Sequence, residues 1–324
     1  MKFVIDMMGG DNGLKATIPA TKELLEKHKD VVVYLIGQLD QLSDFQESER
    51  VHLIESKTVL AMDVDPMTAL KEKDSSLMVG IKTYLENDCD ALISAGSTGA
   101  ILSAAIFKIK RLPKITRPCL ITSFPTLKNN KKFVVCDLGA NSANTKEELN
   151  QFAIMGSLYY SIIYGEKNPS VYLLNNGTEE EKGNELTKEA YQLLKENKSI
   201  NFKGNIEGRE PLFGHIDVLV TDGFTGNIFL KSVEGTAKVM SQMMKEAFKK
   251  NLLTKIGYLF SKKGIDGIKI KMDYKNVGGA LLLGVNGIVI KAHGSSDARS
   301  FMSALENAYK LGKVDIVNRI KEEL

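Results

Sequence analysis

Short β-branched runs alternate along this chain with stretches whose apolar residues recur every three to four positions. Runs at Phe3–Asp6, Val31–Gly37, Ala91–Ala95, Cys119–Ser123, Phe133–Asp137, Val171–Asn175, Asn201–Gly204 and Val218–Thr221 predict strands. Helical periods near Leu14–His28, Ser97–Leu112, Glu147–Tyr164 and Glu185–Glu196 fall between them. That alternation builds crossover units around a mainly parallel sheet, so residues 1–324 read as a single α/β domain. One stretch breaks the rhythm. Thr225–Asn251 is long for a crossover helix and runs into Leu252–Lys263 and a Gly/Ile/Lys-rich segment before a strand resumes at Ala280–Leu283, which predicts a helical excursion over about 238–275.

In open parallel sheets, ligands collect beyond the carboxyl ends of the strands, where helix N-termini present free N–H groups to anions. Three predicted strand-to-helix turns pair glycine with hydroxyl side chains: Ser-Ala-Gly-Ser-Thr-Gly-Ala (94–100), Thr-Asp-Gly-Phe-Thr-Gly-Asn (221–227) and Ala-His-Gly-Ser-Ser-Asp-Ala (292–298). A fourth, between Asn175 and Glu185, brings Lys182 to a helix start, and a fifth ends a strand with Asp137, Gly139 and Asn141. Taken singly, such residues make tight turns and N-caps. Their recurrence points to a shared anion site. His293, beside glycine and two serines, is a candidate for it, whereas His28, His52 and His215 read as structural or solvated. Lys182 reads equally as an exposed lysine balancing Glu179, Glu180 and Glu181, a triplet expected to form a solvated first turn.

Familiar alternatives fit poorly. The chain has no GxxxxGK[ST] loop, and the turn at Ser94 has serine where a dinucleotide fingerprint needs its first glycine. There is no GxSxG elbow, no HExxH and no paired metal-ligand spacing, so ATP, NAD, serine-hydrolase and metal chemistry are weak readings.

Charge and cysteine usage narrow the setting. Against 40 acidic residues, 43 Lys and Arg leave a net charge of +3, too little for a global field that would mark a nucleic-acid binder. Cys89, Cys119 and Cys136 lack CxxC spacing and sit among apolar residues, as reduced, buried thiols do. The N-terminus reads as a strand and not a signal peptide, and no run is long enough to span a bilayer, so a cytoplasmic location is expected. Local basicity does occur. From Lys249, apolar residues at Leu252, Leu253, Ile256, Leu259 and Phe260 are flanked by lysines at 249, 250, 255, 262 and 263. Such a helix suits either a membrane interface with anionic headgroups or packing against its own core or a subunit partner.

Seven blocks, in order and spanning nearly the whole chain, carry a resemblance. They are Met-Gly-Gly-Asp (8–11), Lys-Asp-Ser-Ser (73–76), the block at 94–100, Gln-Phe-Ala-Ile-Met-Gly-Ser (151–157), Gly-Asn-Glu-Leu-Thr-Lys-Glu-Ala (183–190), the block at 221–227 and Lys-Ala-His-Gly-Ser-Ser-Asp-Ala-Arg (291–299). Together they resemble the PlsX phosphate acyltransferases. The chain departs from that pattern at Asn12, where histidine is usual, and at Ser142-Ala143-Asn144, where Asp-Cys commonly follows Gly-Ala-Asn.

The resemblance implies transfer of a fatty acyl group from acyl carrier protein to inorganic phosphate. The acyl phosphate would feed a glycerol-3-phosphate acyltransferase in bacterial phospholipid synthesis. It also implies a homodimer and a Rossmann-like three-layer α/β/α sandwich akin to isocitrate dehydrogenases and phosphotransacetylases, with a protruding helical excursion. The chemistry needs no general base and no catalytic triad, since phosphate is already anionic and a thiolate leaves readily, and no metal or cofactor is expected. On this reading Lys182 and Asn227 are catalytic, and phosphate or substrate meets Gly96, Ser97, Thr98, Asn141, Asn184, Asp222, Thr225, His293 and Ser295. Leu252, Leu253, Ile256, Leu259 and Phe260 would touch a membrane surface. Rival readings are an acyl-coenzyme A-dependent phosphotransacetylase, a non-catalytic membrane scaffold for acyltransferases and, from fold kinship alone, a dehydrogenase.

Overall fold

The chain order, in a computed structural model that describes residues 1–272 and 278–324, is β1 (Lys2–Asp6), α1 (Leu14–Lys27), β2 (Val32–Gly37), β3 (Val51–Glu55), α2 (Pro66–Ala69), α3 (Ser76–Glu86), β4 (Ala91–Ser94), α4 (Thr98–Ala104), β5 (Cys119–Pro125), β6 (Lys132–Cys136) and α5 (Lys146–Tyr164). It continues with β7 (Ser170–Asn175), α6 (Glu185–Glu196), β8 (Asn201–Glu207), β9 (Val218–Val220), α7 (Gly223–Lys249), α8 (Leu252–Met272), β10 (Ala280–Leu283), β11 (Ile288–Lys291), α9 (Ala298–Lys313) and α10 (Ile316–Glu323).

All the described strands join one sheet in the order β3-β2-β1-β4-β11-β10-β5-β6-β9-β7-β8. Seven of the ten pairings are parallel. The other three, β11–β10, β10–β5 and β5–β6, are consecutive and antiparallel, so the two parallel halves run in opposite directions across a central seam.

Strand side chains alternate between two cores because successive residues point to opposite faces. Phe3, Ile5, Val134 and Cys136 pack under α1, α5, α6, α9 and α10, while Val4, Phe133 and Val135 pack under α3, α4 and the first turns of α7. This is the expected three-layer α/β/α arrangement with a mainly parallel sheet. All three cysteines are buried and unpaired.

Two local departures matter. The predicted helix at Ser97–Leu112 is α4 followed by a π-helical turn over Ala105–Ile109 that ends at Lys110 with φ 74°. The excursion is α7 and α8. Along α7 the buried residues are Gly223, Gly226 and Phe229, so the helix leaves the core after its second turn. Residues 273–275 of the expected excursion lie outside the described residues. Among the described residues no helix is long and apolar enough to cross a membrane.

Candidate active site

Two buried carboxylates set up the polar turns. Asp6, at the end of β1, accepts the Ser94 hydroxyl at 2.6 Å and the Gly9 amide at 3.1 Å, and Ser94 Oγ in turn accepts the Gly96 amide at 3.0 Å. That network ties the turns after β1 and β4 together. Gly10 is needed between them: it has φ +87°, and a Cβ there would stand 2.9 Å from Ala95 Cβ and from the Gly294 carbonyl. The turn after β11 is held by Asn12, whose Nδ2 donates to the Ser296 carbonyl at 2.9 Å, and by the Asp11 amide, which donates to the Gly294 carbonyl at 2.8 Å.

Asp137 performs the same task across the seam. Its Oδ1 accepts the Leu120 and Ala140 amides at 2.8 and 3.0 Å, and its Oδ2 accepts both nitrogens of Asn141 at 2.9 Å. Burial pushes this carboxyl above its usual range, while the hydrogen bonds pull the other way. The first turn of α7 packs on this structure. Asp222 caps the helix by accepting the Thr225 amide at 2.9 Å, and a Cβ on Gly226 would stand 1.9 Å from the Asp137 carbonyl.

Between these two assemblies lies a cleft of about 420 Å³ over the antiparallel seam. Leu120 and Thr122 of β5, Ala280 of β10 and Lys291 of β11 form its floor. Asn227, Leu230, Lys231 and Glu234 form the α7 wall, and Asp11, Thr98 and the His293–Ser296 turn form the opposite one. Asn227 and Lys231 are four residues apart and so lie one above the other on that helix. His293 is central to the polar wall: Nδ1 is 2.9 Å from the Ser295 hydroxyl, while Nε2 is 3.3 Å from Lys231 Nζ and 3.8 Å from Glu234 Oε2. Burial first, then the two lysines, hold His293 below its ordinary value against the pull of Glu234 and Asp11, so the ring is mainly neutral near pH 7.

The match to known proteins covers the entire length. The family model described as "Fatty acid synthesis protein" matches residues 1–319. A phosphate acyltransferase of Clostridium perfringens is 43% identical over 330 residues, covering 100% of this chain and 97% of that protein. One of Staphylococcus haemolyticus is 42% identical over 323 residues, covering 99% and 98%. The chain belongs to the phosphate acyltransferase family.

Solved structures at low identity share its fold. A branched-chain phosphotransacylase from Enterococcus faecalis has a TM-score of 0.61 at 14% identity, covering 96% of this chain and 99% of that one. A phosphotransacetylase from Streptococcus pyogenes has a TM-score of 0.58 at 17% identity, covering 100% and 94%. Family membership carries the activity, acyl transfer to phosphate, and these structures carry the expected Rossmann-like scaffold.

Of the residues picked out in the sequence, Thr98, Asn227, His293 and Ser295 meet in the cleft. Others stand behind it. The Gly96 amide is committed to Ser94, and Ser97 is the buried residue preceding α4. Asn141 Nδ2 donates to the Pro118 carbonyl and to Asp137. Asp222 caps α7, and the Thr225 amide is its partner.

Two residues lie off the cleft lining, because the turn after β7 sits one strand beyond β9. Asn184 caps α6 by accepting the Thr187 amide at 2.9 Å, and Lys182 is exposed, its amide donating to the Glu179 carbonyl at 3.2 Å. The acidic triplet precedes α6 by several residues instead of forming its first turn, and Glu180 pairs with Lys195 at 2.9 Å. His28 bonds Glu306 at 2.9 Å and packs its ring, tilted, against Tyr309, a structural role.

Cleft residues that sequence reading passed over are Asp11, Thr122, Lys231, Glu234 and Lys291. Lys291 and Asp11 belong to matched family blocks. Lys231 and Glu234 were detectable only as the next turn of the helix that carries Asn227.

Proposed function

We propose that this cleft transfers a fatty acyl group from the pantetheine thioester of acyl carrier protein to inorganic phosphate, in a cytoplasmic homodimer. The observation that supports it most is the juxtaposition of Asn227, an amide donor with no acid–base chemistry of its own, with a wall of lysine, imidazole and hydroxyl groups. A phosphate oxygen attacks the thioester carbonyl, and the thiolate leaves. Such a reaction needs positioned anions and a stabilised oxyanion more than a general base.

Asn227 donates to the oxyanion, and the Thr98 and Ser295 hydroxyls donate to phosphate. Lys182, on its exposed turn, neutralises phosphate and developing charge once the donor docks. A Lys182→Ala protein that folds and keeps full activity removes that last role.

The excursion supports a second element of the reading. Leu252, Leu253, Leu259 and Phe260 are 73%, 80%, 69% and 89% exposed, and Ile256 is 44% exposed. Large apolar side chains so open to solvent, ringed by lysines, suit contact with an anionic membrane surface. Acyl phosphate released there meets the glycerol-3-phosphate acyltransferase that consumes it.

The test is incubation with palmitoyl–acyl carrier protein and labelled phosphate, without metal or nucleotide, trapping acyl phosphate as its hydroxamate. Phosphate-dependent product supports the proposal. Product with acyl-coenzyme A alone favours the phosphotransacetylase-like alternative, and none with either leaves the scaffold.

A further inference from the structure

The two lysines of the cleft are not equivalent. Lys231 is engaged, with Nζ 3.5 Å from Glu234 Oε2 and 3.3 Å from His293 Nε2. Lys291 closes β11 on the cleft floor, in register with Ser94 of β4 and Ala280 of β10. Among the described residues its ammonium reaches only the Ala292 carbonyl, at 2.5 Å, and no carboxylate comes within 4.0 Å of it. A partly buried ammonium beside a like charge and without a counterion is unfavourable, and a fold retains one where a ligand supplies the missing negative charge.

Building on the reading that the cleft uses phosphate, we propose that Lys291 is the cation that seats it: inorganic phosphate lies against Lys291 Nζ on the cleft floor, with Thr98 and Ser295 at its sides. Asn227, one turn before Lys231 on α7, then faces the adjoining thioester carbonyl. An oxygen of hydrogen phosphate bonds to the carbonyl carbon, and the carbon–sulfur pair leaves on sulfur. The phosphate's remaining proton ends on that thiolate through solvent, giving acyl phosphate and thiol.

The charges around Lys291 make the seat sensitive to pH. Burial, and then Lys231, push its ammonium down to about 8, against the opposing field of Asp11. Glu234 and His293, also facing the cleft, are taken up with Lys231. Below about pH 8 the empty seat is cationic, and above it the amine is neutral, so phosphate affinity falls as pH rises through that value. Arginine at this position stays charged throughout.

The experiment compares wild type with Lys291→Met and Lys291→Arg, reading KM for phosphate, KM for the acyl donor, kcat, and the rise in Tm that phosphate produces with no acyl donor present. The Met variant should raise KM for phosphate at least about 10-fold, the scale of one charge-assisted hydrogen bond. Its KM for the acyl donor should stay within about 3-fold, and it should lose the phosphate-induced rise in Tm. The Arg variant should retain that rise and lose the alkaline limb near pH 8.

A Met variant with unchanged phosphate KM and unchanged phosphate-induced stabilisation overturns the seat. If the Met variant does not fold, wild-type Lys291 is labelled with acetic anhydride at about pH 8 and located by peptide mass. Protection by phosphate supports the seat, and equal labelling with and without phosphate overturns it. Because phosphate-induced stabilisation is read without an acyl donor, failure of the seat is distinguishable from failure of the acyl carrier protein reaction.

Discussion

Replacing Gly226 by alanine tests whether the first turn of α7 is placed by direct backbone contact with the turn after β6. The added Cβ would stand 1.9 Å from the Asp137 carbonyl oxygen, 2.8 Å from Thr221 Cγ2 and 3.0 Å from Asp137 C, whereas ordinary contacts begin at 3.4 Å. Relief requires a shift of roughly 1.5 Å, the difference between 3.4 and 1.9. The β6 side cannot yield easily, because Asp137 is fixed by its contacts to Leu120, Ala140 and Asn141, so the helix moves. Overpacking of this kind costs about 1–3 kcal/mol, partly offset by alanine's helix preference of about 1 kcal/mol. At about 2 °C per kcal/mol, the low end of the range because the chain is long, Tm should fall by a few degrees at most. The effect on rate should be larger. Asn227, the proposed oxyanion donor, is the next residue, and a displacement near 1 Å at a reacting centre costs about 100-fold. Gly235→Ala is the control: it lies on the same helix with nothing within 4 Å of the added Cβ, and should be neutral or slightly stabilising. Thermal melts and kcat/KM in the hydroxamate assay decide the matter. Gly226→Ala behaving like Gly235→Ala would refute the contact argument.

Further outcomes follow from other parts of the fold. Asn227→Ala should keep wild-type Tm and lose about 100- to 1000-fold in kcat, the usual consequence of removing one oxyanion donor; retention of kcat would take Asn227 out of the chemistry. Ser94→Ala leaves the buried Gly96 amide and Asp6 short of one partner each, so urea unfolding should show a loss of about 1–3 kcal/mol. The exposed carboxylate of Asp30 is held down to about 2, first by its 2.7 Å hydrogen bond from Lys313 and then by Tyr309. A depressed carboxylate stabilises above its unfolded value and loses that contribution as pH falls through the folded one, so the Tm gap between wild type and Asp30→Asn should be present at about pH 5, shrink toward pH 2 and narrow in high salt. Leu253→Glu with Phe260→Glu should abolish flotation with anionic vesicles while turnover of soluble donor is kept; unchanged flotation would count against the excursion as the contact surface.

Local pattern was enough for α1, β2, β7 and α6, because each has a clean apolar period bounded by turn residues. It did not mark β3 or α3. The run from Val51 to Glu55 alternates weakly around His52, and α3 carries buried Ser76, Gly80 and Thr83 on the face that packs against the sheet. The glycine turns were visible as a recurring motif, but their physical work was not. Gly10 and Gly226 are required by backbone approach, and several polar residues beside them cap helices or hold turns.

The sequence by itself determined the α/β class, the family and its acyl transfer to phosphate, and a basic amphipathic excursion, because periodicity, ordered motif blocks and charge spacing are written along the chain. Only the tertiary structure decided which polar residues share a cleft. Three consecutive antiparallel pairings lay the ends of two oppositely directed half-sheets around one seam, and so bring Thr98, Asn227, Lys291 and His293 together from four separate elements and turns. The same geometry leaves Lys182 and Asn184 one strand away. No local pattern encodes that selection, because strand order is fixed by the burial of both sheet faces and not by any single segment.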